Sequence, residues 1–276
     1  MILRASSTTS VRVHPGRGKI LHRDRQWSIP AMTSIEKNGP SAGESRIDLG
    51  IVPGTVFDGA LPSRLIEDLR LISGTGSVSD KTSITNHVLS VFEGWTGKGW
   101  PDSYFDRVAA AEHPVIGEWE AFARRLVASV AGAGTVEPAT TGTGRRFTQA
   151  VVRSATSGVE WHFDSACLEY EGTELDLGQD ARQYSVITYL NTPEGGELEV
   201  AAWRPAVIGA HPTRSYPIDE GLFASADRVR VRPVTGRTVV LSSEFAHRVH
   251  TTPTPRKFIT MFVAVSGDGR RAVSFG

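Results

Sequence analysis

Residues 184–203 read YSVITYLNTPEGGELEVAAW. Two short runs rich in β-branched and aromatic residues flank a Pro-Glu-Gly-Gly break. Such runs favour strands, because branched side chains pack well on a pleated surface. Pro193–Gly196 is expected to form a hairpin turn between two strands. The same texture recurs on both sides: FTQAVV from Phe147, VEWHFD from Val159, RVRVRPV from Arg228, RTVVLSS from Arg237 and KFITMFVAV from Lys257. Gly, Pro, Asn and Ser clusters separate these runs, which points to a sandwich or barrel of antiparallel strands.

Upstream, the periodicity changes. LGIVPGTVF from Leu49 is expected as a first strand. Leu61–Ile72 places apolar residues at helical spacing, with Pro62 at the start. Pro114 to Ala131 predicts a second helix, with a stripe of Val115, Ile116, Trp119, Phe122, Leu126 and Val130 packing on a sheet. Between them, residues 87–105 are aromatic and Gly-rich, a surface loop or a substrate lid. The Pro/Gly-rich stretch 204–228 is longer than an ordinary connection, and such loops are often functional. The expected architecture is mainly β with supporting helices. One domain spans 46–276, with helical support at 58–135 and a strand core at 146–268, behind a flexible segment 1–45.

Composition narrows the function. The chain has 276 residues, 39% of them hydrophobic, enough for one sizeable core. Lys+Arg and Asp+Glu both number 30, so there is no electrostatic footprint for nucleic acid or an anionic membrane. No apolar run approaches the length of a transmembrane helix. Cys167 is the only cysteine, so no disulfide can form within the chain, which fits a cytoplasmic setting. The expected partner is a small molecule, and the chain is expected as a monomer or homodimer.

His162 and Asp164 stand two apart in a strand-like run, so their side chains face the same side. A third ligand must come from elsewhere, and His247 follows the strand RTVVLSS. Two histidines and one carboxylate form a facial triad that leaves octahedral positions open, which suits non-haem Fe(II) oxygenases. His-x-Asp alone recurs by chance. Its weight here comes from Arg256, nine positions beyond His247, whose fork could hold a carboxylate. His250 is the rival third ligand, although the spacing to Arg256 favours His247.

His162-Phe163-Asp164, His247-Arg248-Val249 and Arg256 resemble the H-x-D…H-x-V…R pattern of Fe(II)/2-oxoglutarate-dependent dioxygenases. The prolyl-4-hydroxylase-like branch, with its small bacterial amino-acid and natural-product hydroxylases, is the most similar. Tyr189-Leu190-Asn191 followed by Gly195-Gly196-Glu197-Leu198 matches a second pattern of that branch. The resemblance spans about residues 146–265. It implies a double-stranded β-helix, or jelly roll. It also implies an iron triad of His162, Asp164 and His247, with 2-oxoglutarate held by Arg256, Tyr189 and Thr148, and O2 as co-reactant. Val152 stands where relatives often carry a tyrosine, with Arg153 beside it as a candidate substitute. Asp164 implies hydroxylation over halogenation, because halogenating relatives have a small residue there. Arg182, Arg204 and Arg214 are candidate contacts for an anionic substrate, and Glu160 and Trp161 for the entrance. The alternatives are a prolyl hydroxylase acting on a peptide or protein, and a β-sandwich binding module without catalysis.

Overall fold

The structure is a computed structural model that describes residues 45–72, 78–79, 84–205 and 217–276. The expected flexible segment 1–45 lies almost wholly outside the described residues. So do Arg214 and the middle of the 204–228 stretch.

Described strands form two antiparallel layers. The larger sheet is built around β2 (Gly54–Asp58), β11 (Thr238–Ser242), β8 (Arg182–Tyr189), β13 (Arg256–Val265) and β6 (Val151–Ala155), neighbours in that order. Its borders are β1 (Ser45–Asp48) on one side and β4 (Ile84–Asn86) and β3 (Val78–Ser79) on the other. β14 (Ala272–Phe275) pairs with β13 and, in parallel, with β5 (Glu137–Pro138). The smaller sheet runs β10 (Arg228–Val231), β9 (Leu198–Ala201), β12 (His247–Val249), β7 (Val159–His162). Two facing antiparallel sheets are the jelly-roll arrangement.

Alternation along β13 shows how the layers are used. Ile259, Met261, Val263 and Val265 face the helices, packing with Trp119, Ala123 and Val127 of α4 (Pro114–Ala131) and Leu65 and Leu69 of α1 (Ser63–Leu71). Phe258 faces inward, against Leu198 and Val200 of the small sheet. Burying each such side chain contributes roughly 1.5–3 kcal/mol. The Trp119 indole N–H donates to Thr188 Oγ1 at 2.9 Å, so its burial leaves no orphaned donor.

The expected helix over 114–131 is observed with those bounds. Pro114 opens it, where its missing N–H costs nothing, and Gly132 closes it with φ of 67°. Three expectations need correction. LGIVPGTVF is not one strand: Leu49–Pro53 turns between β1 and β2. Residues 87–105 contain α2 (Val91–Gly94) and the start of α3 (Asp102–Ala110), not an unstructured loop. A capping box secures α2: Phe92 N–H donates to Ser90 Oγ, and Ser90 N–H to Glu93 Oε2 at 2.6 Å. Pro193–Gly196 is not a hairpin turn either, because β8 and β9 belong to different sheets. The stretch carries the chain from one layer to the other. Local residue chemistry marks a turn, but the partner of each strand is decided by the rest of the fold.

Candidate metal centre

The edge of the small sheet builds the site. β12 pairs with β7 so that His247 lies opposite His162. Asp164 follows β7 and is fixed by its N–H, which donates to Ser243 O at 2.8 Å, at the end of β11. Each imidazole is then oriented by its own backbone. His162 Nδ1 lies 2.8 Å from Glu160 O, and His247 Nδ1 lies 2.9 Å from Phe245 O. A carbonyl accepts only, so each Nδ1 carries the proton and each Nε2 presents a lone pair. The two Nε2 atoms stand 3.9 and 3.5 Å from Asp164 carboxylate oxygens, with the rings 4.1 Å apart.

The result is a convergence of acceptors: three side chains, each with one ligand atom within 4.8 Å of the others. Burial and the nearby charge of His247 push the His162 pKa down to about 4, partly offset by Asp164, so the ring stays neutral at ordinary pH. Burial raises Asp164, but its hydrogen bond with His247 and the electrostatic pull of the two imidazoles and Arg153 outweigh this and hold it below the usual carboxylate range. Two imidazole Nε2 atoms and one ionised carboxylate facing a common point fit a divalent cation.

Arg256 opens β13 and is 3% exposed. Its Nη1 donates to Gly196 O at 3.3 Å, and the guanidinium lies over the Phe258 ring at 5.0 Å. Among the described residues no carboxylate lies within ion-pair distance of it. A buried guanidinium without an anion carries a large desolvation cost, which a carboxylate ligand would offset. Tyr189 is buried beside it. Burial pushes its hydroxyl up to about 12 and Arg256 pulls the other way, so the group stays a proton donor. The Gly195-Gly196 turn makes room for this pair. Both residues have φ near +75°, and a Cβ on Gly196 would stand 3.1 Å from Arg256 Nη1.

Other expected residues go elsewhere. Thr148 is bonded to the Tyr104 hydroxyl at 3.1 Å and lines a cavity of about 350 Å³ with Glu120 and Arg146, which the triad does not line. Val152 faces the helices, because alternation turns Arg153 inward instead. His250, the rival ligand, is bonded to Glu199 Oε2 at 2.7 Å. Trp161 is not at an entrance: one position from His162, it faces outward and packs on Phe223 and Ala201. Arg182 reaches Ala131 O, and Arg204 lies over the Phe245 ring. Cys167 is buried, 3.0 Å from Ser165 Oγ. The sequence reading passed over Tyr170, a buried tyrosine within electrostatic reach of Asp164. Its only sequence signal is being six residues downstream of that aspartate.

Residues 148–264 match the family model of the 2OG-Fe(II) oxygenase superfamily. The matched segment is similar to 2OG-Fe(II) oxygenases. This family couples Fe(II) and 2-oxoglutarate to oxidation, and the triad, Arg256 and Tyr189 all fall inside the matched segment. Among solved structures, the chain is similar to an N-substituted L-amino acid dioxygenase from Burkholderia ambifaria in complex with alpha-KG. Identity is 15% and TM-score 0.52, over 81% of this chain and 86% of that one. That likeness shows a common fold. HygX from Streptomyces hygroscopicus, with nickel and 2-oxoglutarate bound, is 14% identical over 77% of this chain and 82% of that one, with TM-score 0.47. A Pseudomonas putida prolyl-4-hydroxylase is 15% identical over 76% of this chain and 91% of that one, with TM-score 0.40. No curated protein matches the chain. None of the described helices is long and apolar enough to cross a membrane.

Proposed function

We propose that this oxygenase domain hydroxylates an unactivated C–H of a small molecule, with 2-oxoglutarate as cosubstrate. The observation that carries the reading is the paired tautomers. Both histidines spend Nδ1–H on a backbone carbonyl and aim Nε2 at the Asp164 carboxylate, so three potential ligand atoms converge. A cation is what that geometry lacks. His162, Asp164 and His247 would hold Fe(II), and Arg256 with the Tyr189 hydroxyl would hold the distal carboxylate of 2-oxoglutarate.

When bound, iron and cosubstrate supply O2 activation coupled to oxidative decarboxylation of 2-oxoglutarate to succinate and CO2. The chain's own residues do the rest. Glu160 and Phe245 carbonyls keep both imidazoles in the metal-ready tautomer. Arg256 fixes the tail of the cosubstrate and so its direction of approach. Phe258, Leu198, Val200 and Leu241 line the inner faces of the sheets with apolar surface that keeps water out. Asp164 would fill the third protein position at the metal, which favours hydroxylation over halogenation. A small-molecule substrate agrees with the net charge of zero and with the amino-acid derivative named for the Burkholderia structure.

The test is Fe(II)- and O2-dependent succinate formation from 2-oxoglutarate, screened over amino-acid derivatives and related metabolites. Turnover in the wild type and none in His162→Ala is the expected result. Equal signals from the two proteins would sink the assignment.

A further inference from the structure

Arg153 is, among the described residues, a second arginine that faces the interior between the sheets. It lies on β6, opposite Phe258 of β13, one strand from Arg256, which pairs with Ala155. Ala155 and Phe258 belong to the core between the sheets, so Arg153 points into the same interior. Its Nε is buried without a partner, and its one side-chain bond is a long 3.4 Å contact from Nη2 to Ser90 Oγ. Among the described residues no carboxylate comes within ion-pair distance. Asp164 and Glu93 act on it only from further away, and Glu93 already accepts from the Ser90 N–H. Burial pulls the guanidinium below its ordinary value, though an arginine stays charged.

A second unsatisfied group lies within its electrostatic reach. Tyr170 Oη is buried with no hydrogen-bond partner, and both Arg153 and Asp164 act on it. The Tyr170 ring packs in a wall with Phe92, Trp95 and Trp100, and Phe92 also meets Phe262 on the inner face of β13. Phe92 is 44% exposed, so this wall reaches the surface. Two buried donors without acceptors, at one end of an aromatic wall and close to Asp164, describe half of a binding site.

We infer that Arg153, with Tyr170 as second donor, anchors a carboxylate of the substrate, whose apolar body lies along Phe92 and Phe262. The inference rests on the oxygenase reading above. There, 2-oxoglutarate spends one carboxylate at the metal and the other on Arg256, so neither is left for Arg153. The one guanidinium and one hydroxyl left over beside the Arg256 site match a monoanion. The substrate class is therefore a monocarboxylic acid with a branched or aromatic body.

The experiment uses the full chain loaded with Zn(II) and 2-oxoglutarate, and reads the backbone amide N–H resonances around the site, which every Arg153 variant retains. The probes are acetate, 3-methylbutanoate and 3-phenylpropionate, each against its amide. The expected result is a saturable shift with the larger acids and about tenfold weaker binding of the amides. That preference should collapse in Arg153→Gln and survive in part in Arg153→Lys, while 2-oxoglutarate affinity stays within about threefold in both. Absence of any acid preference in the wild type overturns the inference, as does its persistence in Arg153→Gln. If Arg153→Gln weakens 2-oxoglutarate as much as Arg256→Gln does, Arg153 belongs to the cosubstrate. If Arg153→Gln instead loses Zn(II), Arg153 positions Asp164. Failure of the oxygenase reading has its own signature: a wild type with no affinity for 2-oxoglutarate.

Discussion

Strand β12 has two faces that use the same residue types for opposite ends. Inward, His247 meets His162 and Asp164, and each turns one potential ligand atom toward a common point. Outward, Arg248 and His250 meet Glu199, which is 3% exposed and surrounded by donors. Arg248 Nε and Nη2 lie 2.9 Å from its Oε2, His250 Nε2 2.7 Å and Arg230 Nη2 3.3 Å. Arg228 and Glu220 extend the network, Trp161 N–H donates to Glu220, and Arg248 lies over the Trp161 ring at 4.7 Å. The outer face pairs a carboxylate with several cations, whereas the inner face turns three potential metal ligands toward one point. A matched cluster needs nothing further and acts as a structural clamp. Residue type therefore does not mark function on this strand, whereas the groups each side chain meets do.

Removing a ligand is the strongest way to break that contrast. Asp164→Ala should weaken Fe(II) binding well beyond the roughly 100-fold typical of losing an outer-shell partner, with the fold intact by circular dichroism. Titration calorimetry under anaerobic conditions reads it, and retained iron affinity would dissolve the distinction between the faces. The reverse experiment is Glu199→Ala. It strands several cations and should cost about 2–3 kcal/mol of stability. That is below the roughly 3–5 kcal/mol of a fully buried pair, because Arg230 reaches solvent. Iron affinity of the folded protein should be unchanged, and a joint loss would mean that the faces are not independent.

Arg256→Gln sharpens the inner face. It should weaken 2-oxoglutarate by about 10- to 100-fold, as expected for losing a charge-assisted pair, and leave iron affinity alone. Equal losses of both ligands would show that Arg256 supports the metal instead. Glu244, a buried acid without a close ion pair among the described residues, gives a pH test. Burial pushes its carboxyl up to about 7, with Arg204 and Arg182 pulling it down. The folded chain then holds that proton more tightly than the unfolded chain. The stability it contributes is full below pH about 4.5 and lost as pH rises through about 7. Glu244→Gln should remove that slope and stabilise the protein at pH 8 by about 1–2 kcal/mol, read from melts at pH 5 and 8. The smallest effect is expected from His250→Gln, about 1 kcal/mol or less of stability and an unchanged one-to-one iron stoichiometry. A loss of iron there would restore His250 as the third ligand.

Much of the site was legible because strand alternation is local. His162 and Asp164 two apart, and Arg256 at the head of an apolar strand, follow from a period of two and from the resemblance those residues carry. Helix α4 was equally legible: its stripe, Pro114 and Gly132 are properties of neighbouring residues. The clash-free turn at Gly195-Gly196 was visible as a break, but its destination was not. Which strand β8 and β9 each join depends on pairings with β11, β13, β10 and β12, and no residue in 184–203 encodes those partners locally.

By itself, then, the sequence determined the triad's residues, the arginine that accompanies it, the helix over 114–131 and the mainly β character. His162 with Asp164 and the helix rest on spacing along one strand or one helix, whereas His247 and Arg256 rest on the resemblance their motifs carry. Only the tertiary structure decided which side of β12 gathers the potential ligand atoms, that Arg153 and not Val152 faces the interior, and that the buried Tyr170 hydroxyl has no partner. Those facts are sums over groups brought together from distant parts of the chain. Hydrogen-bond completeness is a property of the assembled neighbourhood, so it becomes readable only once the two sheets have closed on each other.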